Sequence, residues 1–506
     1  METLLASAAY LMELKILVAA LAGVAWGIMG GALPGISPSI TMALLLPFTY
    51  TMEPGSAIVL LASTYVGAEY GGSVPAILIR TPGTNAAAAA VLDGYEMNKQ
   101  GKPGLALGIS LYSGVIGSLF GLTMLILLSG PLASVALAFT PPAYFALGVL
   151  GLSVIATLSG ESLVKGFISA LLGLMVATIG TDPVAGSNRF TFGSADLLSG
   201  IAPVMIMVGL FAMSELLVQA GTKTSEIKAA SRTKLQFPGF KLARRLVFPQ
   251  SIGCVIGTFE GVMPGAGGTV ASFMSYNEAR RWSRKSEEFG KGSPEGIAAP
   301  ESANNAVAET ALVPLLSFGI PGSNSTAILL GGFLIHGIRP GPMLFERSAD
   351  VVHSLYAGLF TAAVALLFIG MALLPLCIWL VNRPRFYLNA FIYALILSGI
   401  YSIHNSLFDL GIMMAAGVVG YFMRMFRFPF LPAVLGLVLG YLVESNFRRS
   451  LVLSGDDLLI FIDDRISLGL LSLAFIFVAG SLGRRFYKFI RKQNKAENHT
   501  SAEEKA

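Results

Sequence analysis

Charge is scarce in this chain. Asp, Glu, Lys and Arg make up 12% of its 506 residues, where a soluble protein carries about a quarter. Cysteine is scarcer still: Cys254 and Cys377 are the whole complement, and both sit in apolar stretches. That excludes a disulfide framework, and the two read as small buried hydrophobes rather than metal ligands. The four histidines (His336, His353, His404 and His499) are scattered without ligand spacing. No serine–histidine pair or histidine-rich constellation stands at depth, so an intramembrane enzyme has no evident residue set. The net charge of +5 lies mostly in loops and at the C-terminus, where it reports membrane topology, and nucleic-acid binding has no support.

What the chain has instead is apolar length. It is 54% hydrophobic, with a mean hydropathy of +0.71. Runs approaching the ~20 residues that cross a bilayer recur from end to end. They include residues 14–30, 105–128, 144–157, 167–179, 201–217, 356–380, 389–403, 411–423, 431–442 and 468–480. The composition therefore predicts an all-α polytopic membrane protein with about 10 to 14 membrane segments. The N-terminus has no basic region and no evident cleavage site, so it is expected to be retained.

Basic residues mark the cytoplasmic side. They fall at Lys99 and Lys102, across 223–245 with seven Lys and Arg, across 280–291, and in the tail from 484, which is expected to be cytoplasmic. The loop 181–194 lacks that bias and is expected on the opposite side. The segment 246–276 is flanked by basic loops at both ends. Its length is too short for two full spans at about 1.5 Å per residue, so a re-entrant hairpin is expected.

Two phrases repeat. VPAILIRTPGTN (74–85) and VPLLSFGIPGSN (313–324) share five of twelve positions, all on or beside the helix breakers, at an offset of 239. GIMGGALPG (27–35) and GTFEGVMPG (257–265) align at an offset of 230 through Gly27/Gly257, Gly31/Gly261, Pro34/Pro264 and Gly35/Gly265. Matches in the same order predict two diverged copies, each followed by further helices. The expected division is 1–130, 131–245, 246–365, 366–483 and a tail 484–506.

Proline removes a donor and clashes with the preceding turn, and glycine permits the reversal that follows. Such a break survives in hydrocarbon only against protein or a water-filled cavity. Pro82-Gly83 and Pro321-Gly322 should each end one half-helix and start another. The hydroxyls and amides after them, Thr84-Asn85 and Ser323-Asn324-Ser325-Thr326, should cap the new half-helix. The exposed N–H groups and positive dipole end suit a carboxylate, and the freed carbonyls suit Na⁺. Paired interruptions in corresponding halves point to the binding site of a secondary transporter. Mere kinking of packed helices is the structural alternative.

Carboxylates inside apolar segments sharpen the picture. Glu260 and Glu301, beside glycine-rich or amide-rich turns, suit coordination or gating as well as structural capping. Glu69 and Glu309 precede the two VP phrases and suit a role in holding the hairpins. Asn304-Asn305, beside Ser302, offers amides for an oxyanion or Na⁺. Arg80 could attract an anion, although snorkelling to the interface is the simpler reading. Asp93 reads as a turn residue in a loop.

At these residues the chain resembles a known family. GALPGISPSITMALLLPFTY, YGGSVPAILIRTPGTNAAAAAVLDGYEMNKQGKPGLALG, EGVMPGAGGTVASFMSYNEARRWSRKSEEFGKGSPEGIAAPESANNA and IPGSNSTAILLGGFLIHGIRPGPMLF look like signatures of the large membrane subunit of bacterial tripartite tricarboxylate transporters, the TctA type. The resemblance covers nearly the whole chain, least diagnostically in its last third. It implies a secondary transporter of the inner membrane, driven by an ion gradient usually taken as Na⁺, with no cofactor. It implies carboxylate substrates such as citrate and other di- or tricarboxylates. A small four-helix membrane subunit (TctB type) and a periplasmic solute-binding protein (TctC type) are the implied partners. By motif match, Pro34, Gly35, Ser37, residues 81–85, Glu260 with the stretch to 268 including Gly265, residues 301–305 and residues 320–326 form the transport core, with Na⁺ expected near Asn85 and Asn324. A stand-alone ion-coupled carrier, independent of a binding protein, is the alternative, because nothing in the chain itself encodes partner dependence.

Overall fold

The computed structural model describes residues 7, 9–158, 162–182, 186–221, 233–263, 265, 267–382 and 385–483. Pro264, the tail from 484 and parts of the loops 181–194 and 223–245 lie outside the described residues. The chain is almost wholly helical, and its one sheet is the two-residue pair β1 (Gly180–Thr181) and β2 (Asn188–Arg189). Among the described residues, eight helices are long and apolar enough to cross a membrane, and three shorter apolar helices accompany them. The all-α polytopic architecture is the one the composition predicts. Several apolar stretches fold as short helices, and others join helices that carry polar residues.

Contacts divide the chain into two compact units, Met1–Ala138 with Ala202–Phe422, and Phe139–Ile201 with Met423–Ala506. The first unit contains the repeated phrases, and its elements occur in one order twice. The first series is α1 (Leu14–Gly31), α2 (Pro38–Leu45), α3 (Pro54–Gly71), α4 (Ser73–Ile79), α5 (Ala88–Lys99) and α6 (Pro103–Leu137). In the second unit, α7 (Pro141–Leu158) and α8 (Leu163–Ala177) follow. The first unit resumes with α9 (Pro203–Ala220), which carries a π-helical turn at Gly209–Met213. The second series is α10 (Phe240–Val262), α11 (Gly267–Trp282), α12 (Pro294–Thr310), α13 (Leu312–Phe318), α14 (Asn324–Ile335) and α15 (Ala349–Val381). Then come α16 (Arg385–His404), α17 (Leu407–Met425), α18 (Phe430–Ser454) and α19 (Arg465–Gly483).

The correspondence reaches individual atoms. A Cβ on Gly23 or Gly27 of α1 would lie 2.5 Å from Leu60 O or 2.3 Å from Thr64 O of α3. A Cβ on Gly253 or Gly257 of α10 would lie 2.3 Å from Ala299 O or 2.4 Å from Ala303 O of α12. These glycines stand 230 apart and the carbonyls 239 apart, the two offsets of the sequence phrases. Backbones packed this closely need small residues at the contact, as in many membrane helix pairs. The outer faces are apolar: Phe248, Val255 and Phe259 of α10 are all exposed.

The helix ends of this unit gather in two groups. In one group the backbone of Gln236, just before α10, donates to Gly104 O at the start of α6 (3.0 Å), and Gln100 after α5 donates to Lys291 O (2.7 Å). Arg245 of α10 pairs with Glu295 of α12 (2.7 Å) and with Glu288 (2.9 Å). Lys285 and Arg245 together hold the Glu288 carboxyl below the usual carboxylate range. In the other group Lys15 of α1 pairs with Glu53 before α3 (2.7 Å), and Ser7 bonds His353 at the start of α15 (3.1 Å). Tyr356 bonds Ser129 in the last third of α6 (2.6 Å), and Ser317 of α13 donates to Ser129 O (3.0 Å). Thus α6, α10 and α12 begin at the basic end, while their counterparts α15, α1 and α3 begin at the other.

In the second unit α18 packs on α7 and α8, with Gly173 of α8 tight against Ala433 O. The loop bearing β1 and β2 is braced by charge: Arg189 bonds Glu444 (2.6 Å), and Arg448 bonds the buried Asp182 (3.0 Å).

Candidate functional site

Both Pro-Gly breaks are built alike. Helix α4 ends at Arg80 and α13 at Gly319, each in the left-handed region, with φ of 60° and 74°. The chain then runs back along the short helix it has left. Gly83 N donates to Gly72 O at the α3–α4 junction (2.9 Å), and Gly83 packs on Gly31 O. Gly322 lies against the counterparts, Gly261 O and Ala311 O. The next helix starts there, at the level of the buried centre. Thr84 accepts from Ala87 N (3.2 Å), and Ser323 and Thr326 form a reciprocal capping box at the start of α14. Ser323 and Thr326 therefore cap α14 as expected, whereas Thr84 bonds within the turn before α5, whose N-cap Ala87 has no side-chain cap. The amides cap neither helix: Asn85 and Asn324 are both exposed, and neither side chain has a hydrogen bond among the described residues.

The other pair of breaks follows α1 and α10, where Gly35 (φ 89°) and Gly265 (φ 97°) take a turn open to glycine. Gly265 N donates to Gly322 O (3.0 Å), which ties this turn to the neighbouring Pro-Gly break. Gly35 is exposed beside Gln219 and Glu215 of α9, buried Pro34 precedes it, and Ser37 caps α2. No hydrogen bond joins Pro34, Gly35 or Ser37 to the other candidates. Glu260, on the last turn of α10, is buried and has no hydrogen bond or ion pair among the described residues.

The centre lies where α3 and α12, both buried along almost their whole length, cross. Asn304 Nδ2 donates to Glu69 Oε2 (3.0 Å), and Thr84 of the first break lies against the same carboxylate. Tyr65, the α3 residue corresponding to Asn304, reaches Ser323 of the second break at 3.5 Å, with Ser325 beside it. Tyr65 thus reaches the break of the other half directly, while Asn304 crosses to Glu69, the carboxylate that Thr84 of the first break also meets. Gly268 of α11 packs on Asn304 and Ala86, while α2 packs on α14.

Farther along α12, Ser302 donates to Ala298 O and Ser113 O, and Asn305 donates to Glu301 O (3.0 Å). Glu301 Oε1 accepts from Ser73. Glu309 of the same helix is fully buried, and neither of its carboxylate oxygens has a partner among the described residues. The holding role expected for Glu309 is therefore not visible, whereas Glu69 does bridge the halves. Glu69 is the site residue that sequence reasoning undervalued. Its signal was a lone carboxylate in the small-residue stretch ASTYVGAEYGG, but its partner lies 235 residues away.

Asp93 is a second correction. It lies inside α5, fully buried, and accepts from Gly292 N (2.8 Å), Ser293 N (2.7 Å) and Tyr276 OH (2.9 Å). It fixes the entry into α12 rather than turning a loop. Charge-assisted bonds of this kind contribute about 1.5–3 kcal/mol each. Arg80 is exposed and lies over the Tyr95 ring (5.9 Å), away from the centre, as a snorkelling side chain does.

The family model described as tripartite tricarboxylate transporter TctA family matches residues 17–435. A protein of Agrobacterium vitis, described as "Uncharacterized 52.8 kDa protein in TAR-I ttuC' 3'region", is 36% identical over 450 residues, covering 89% of this chain and 90% of that protein. A second from the same organism, "Uncharacterized protein in TAR-II ttuC' 3'region", is 35% identical over 222 residues, 44% of this chain and 92% of its own length. No solved structure matches.

Proposed function

Since the chain belongs to the tripartite tricarboxylate transporter TctA family, we propose that it is the large membrane subunit of an ion-driven carrier. Transport, a multi-pass membrane location and a non-enzymatic family follow from the family and the apolar helices. The finer reading is that it moves a di- or tricarboxylate such as citrate across the bacterial inner membrane, with Na⁺ as the coupling ion. A TctB-type small subunit and a TctC-type periplasmic binding protein complete the assembly.

The observation that carries this reading is the pair of contacts between the halves at the centre, Tyr65 with Ser323 and Asn304 with Glu69, whose carboxylate also meets Thr84. Paired contacts of this kind are what a two-fold relation between halves produces. Corresponding helices start at opposite ends of the unit, which supports an inverted repeat, and the basic end sits in the cytoplasm with the C-terminus. Broken helices that present their starts to a shared centre are the arrangement in which secondary transporters hold anionic substrates. With α14 capped by hydroxyls and Thr84 bonded in the turn before α5, the exposed Asn85 and Asn324 are the groups free to meet a carboxylate.

The test follows from that freedom. Neither amide is used by the fold, so Asn85→Ala and Asn324→Ala are expected to give wild-type yields of monodisperse protein. Each should lower substrate uptake at least about tenfold, the effect of a lost polar contact of roughly 1.4 kcal/mol. Normal uptake in both would remove the breaks from the site.

A further inference from the structure

We propose that a monovalent cation binds at the Glu301 carboxylate, in the seam between α12 and α6, with Ser73, Ser110 and Asn305 supplying neutral oxygens. The proposal rests on the reading of the chain as an ion-driven carrier and adds the ion's location.

Glu301 is 2% exposed, and no Lys, Arg or His among the described residues pairs with it. The ion pairs of this unit stand at its ends, among them Lys15–Glu53, Arg245–Glu295 and Lys285–Glu288. An ionised carboxylate at depth is costly and needs a counter-charge. One oxygen, Oε1, accepts the Ser73 hydroxyl, and Oε2 has no partner. Ser110 of α6 is fully buried and near the same carboxylate, yet its hydroxyl has no partner in hydrogen-bond geometry.

Asn305 completes the set. It lies one turn beyond Glu301 on the same face of α12, as Gly114 lies one turn beyond Ser110 on α6. Its Nδ2 donates to Glu301 O, and because a carbonyl can only accept, the amide orientation is fixed. That leaves Oδ1, buried and without a partner, as a further acceptor. A Cβ on Gly114 would lie 3.0 Å from Nδ2, so the glycine makes room for the amide. A proton on Oε2 could be donated to only one of the two remaining oxygens, Ser110 Oγ or Asn305 Oδ1. A hard cation uses several oxygens at once, and acceptor oxygens are what this seam concentrates. The site is separate from the exposed Asn85 and Asn324, where the sequence had suggested the ion.

Equilibrium binding of ²²Na⁺ to the purified full chain, with no substrate present, tests this. Wild type is expected to bind saturably. Glu301→Gln should weaken binding about 100-fold and Ser110→Ala about tenfold, the span typical of lost metal-site groups. Ser110→Ala keeps the carboxylate and carries the test if Glu301→Gln does not fold. Binding unchanged in Ser110→Ala or Glu301→Gln, or no ²²Na⁺ binding by wild type, would overturn the site. Binding that follows these residues in a protein that takes up no carboxylate would uphold the site and overturn the carrier reading instead.

Discussion

Asn304→Ala is expected to reduce substrate uptake below about 1% of wild type and to lower the thermal unfolding midpoint. The amide is the hydrogen-bond donor from α12 to Glu69, which is 6% exposed and has only Thr84 besides. Removing the donor of a buried hydrogen bond to a carboxylate costs about 1.5–3 kcal/mol, because the acceptor loses that bond and stays buried. The same contact positions the first break against the second half, so the loss falls on transport as well as on stability. A double-mutant cycle isolates it: Glu69→Gln should be less damaging in the Asn304→Ala background than in wild type. Uptake above half of wild type in Asn304→Ala would show that the halves do not meet functionally there.

Gly27→Ala and Gly257→Ala are each expected to abolish recovery of monodisperse protein. The added carbon would stand 2.3 Å from Thr64 O in one case and 2.4 Å from Ala303 O in the other. Both are backbone atoms of a buried partner helix, so no rotamer change relieves the collision. A loss of more than about 4 kcal/mol is expected from overpacking of this kind. Gly411→Ala, with nothing within 4 Å, is the control and should behave as wild type. Size-exclusion profiles of the three variants decide the matter, and a normal profile for Gly27→Ala would contradict the packing described here.

Much of this was legible in the residues because it is local. Proline and glycine set the breaks, Ser323 and Thr326 cap the helix after the second, and Thr84 bonds Ala87 N in the turn after the first, all within three or four residues of one another. What escaped depends on how distant segments meet. Asp93 sits in a polar stretch, LDGYEMNKQGKPG, that reads as a loop until α12 is brought to its carboxylate. Glu69 acquires its role only when α3 and α12 cross. Asn85 and Asn324 look like capping groups in sequence, but Ser323 and Thr326 cap α14, α5 starts at Ala88 beyond Asn85, and both amides are exposed. The grouping of 139–201 with the chain after 423 rests on contacts between α8 and α18, which no local pattern encodes.

The most direct test of the central claim is uptake of radiolabelled citrate by proteoliposomes containing this chain and its small membrane partner. It should be run with and without an inward Na⁺ gradient, and with and without the periplasmic binding protein. The account predicts uptake that requires both gradient and binding protein and that falls in the Asn85, Asn324 and Asn304 variants. Gradient-driven uptake that ignores the binding protein would support the stand-alone carrier in its place. Uptake that persists without any ion gradient, or that is untouched by all three substitutions, would contradict a gradient-driven carrier with its site at the crossing of the two halves.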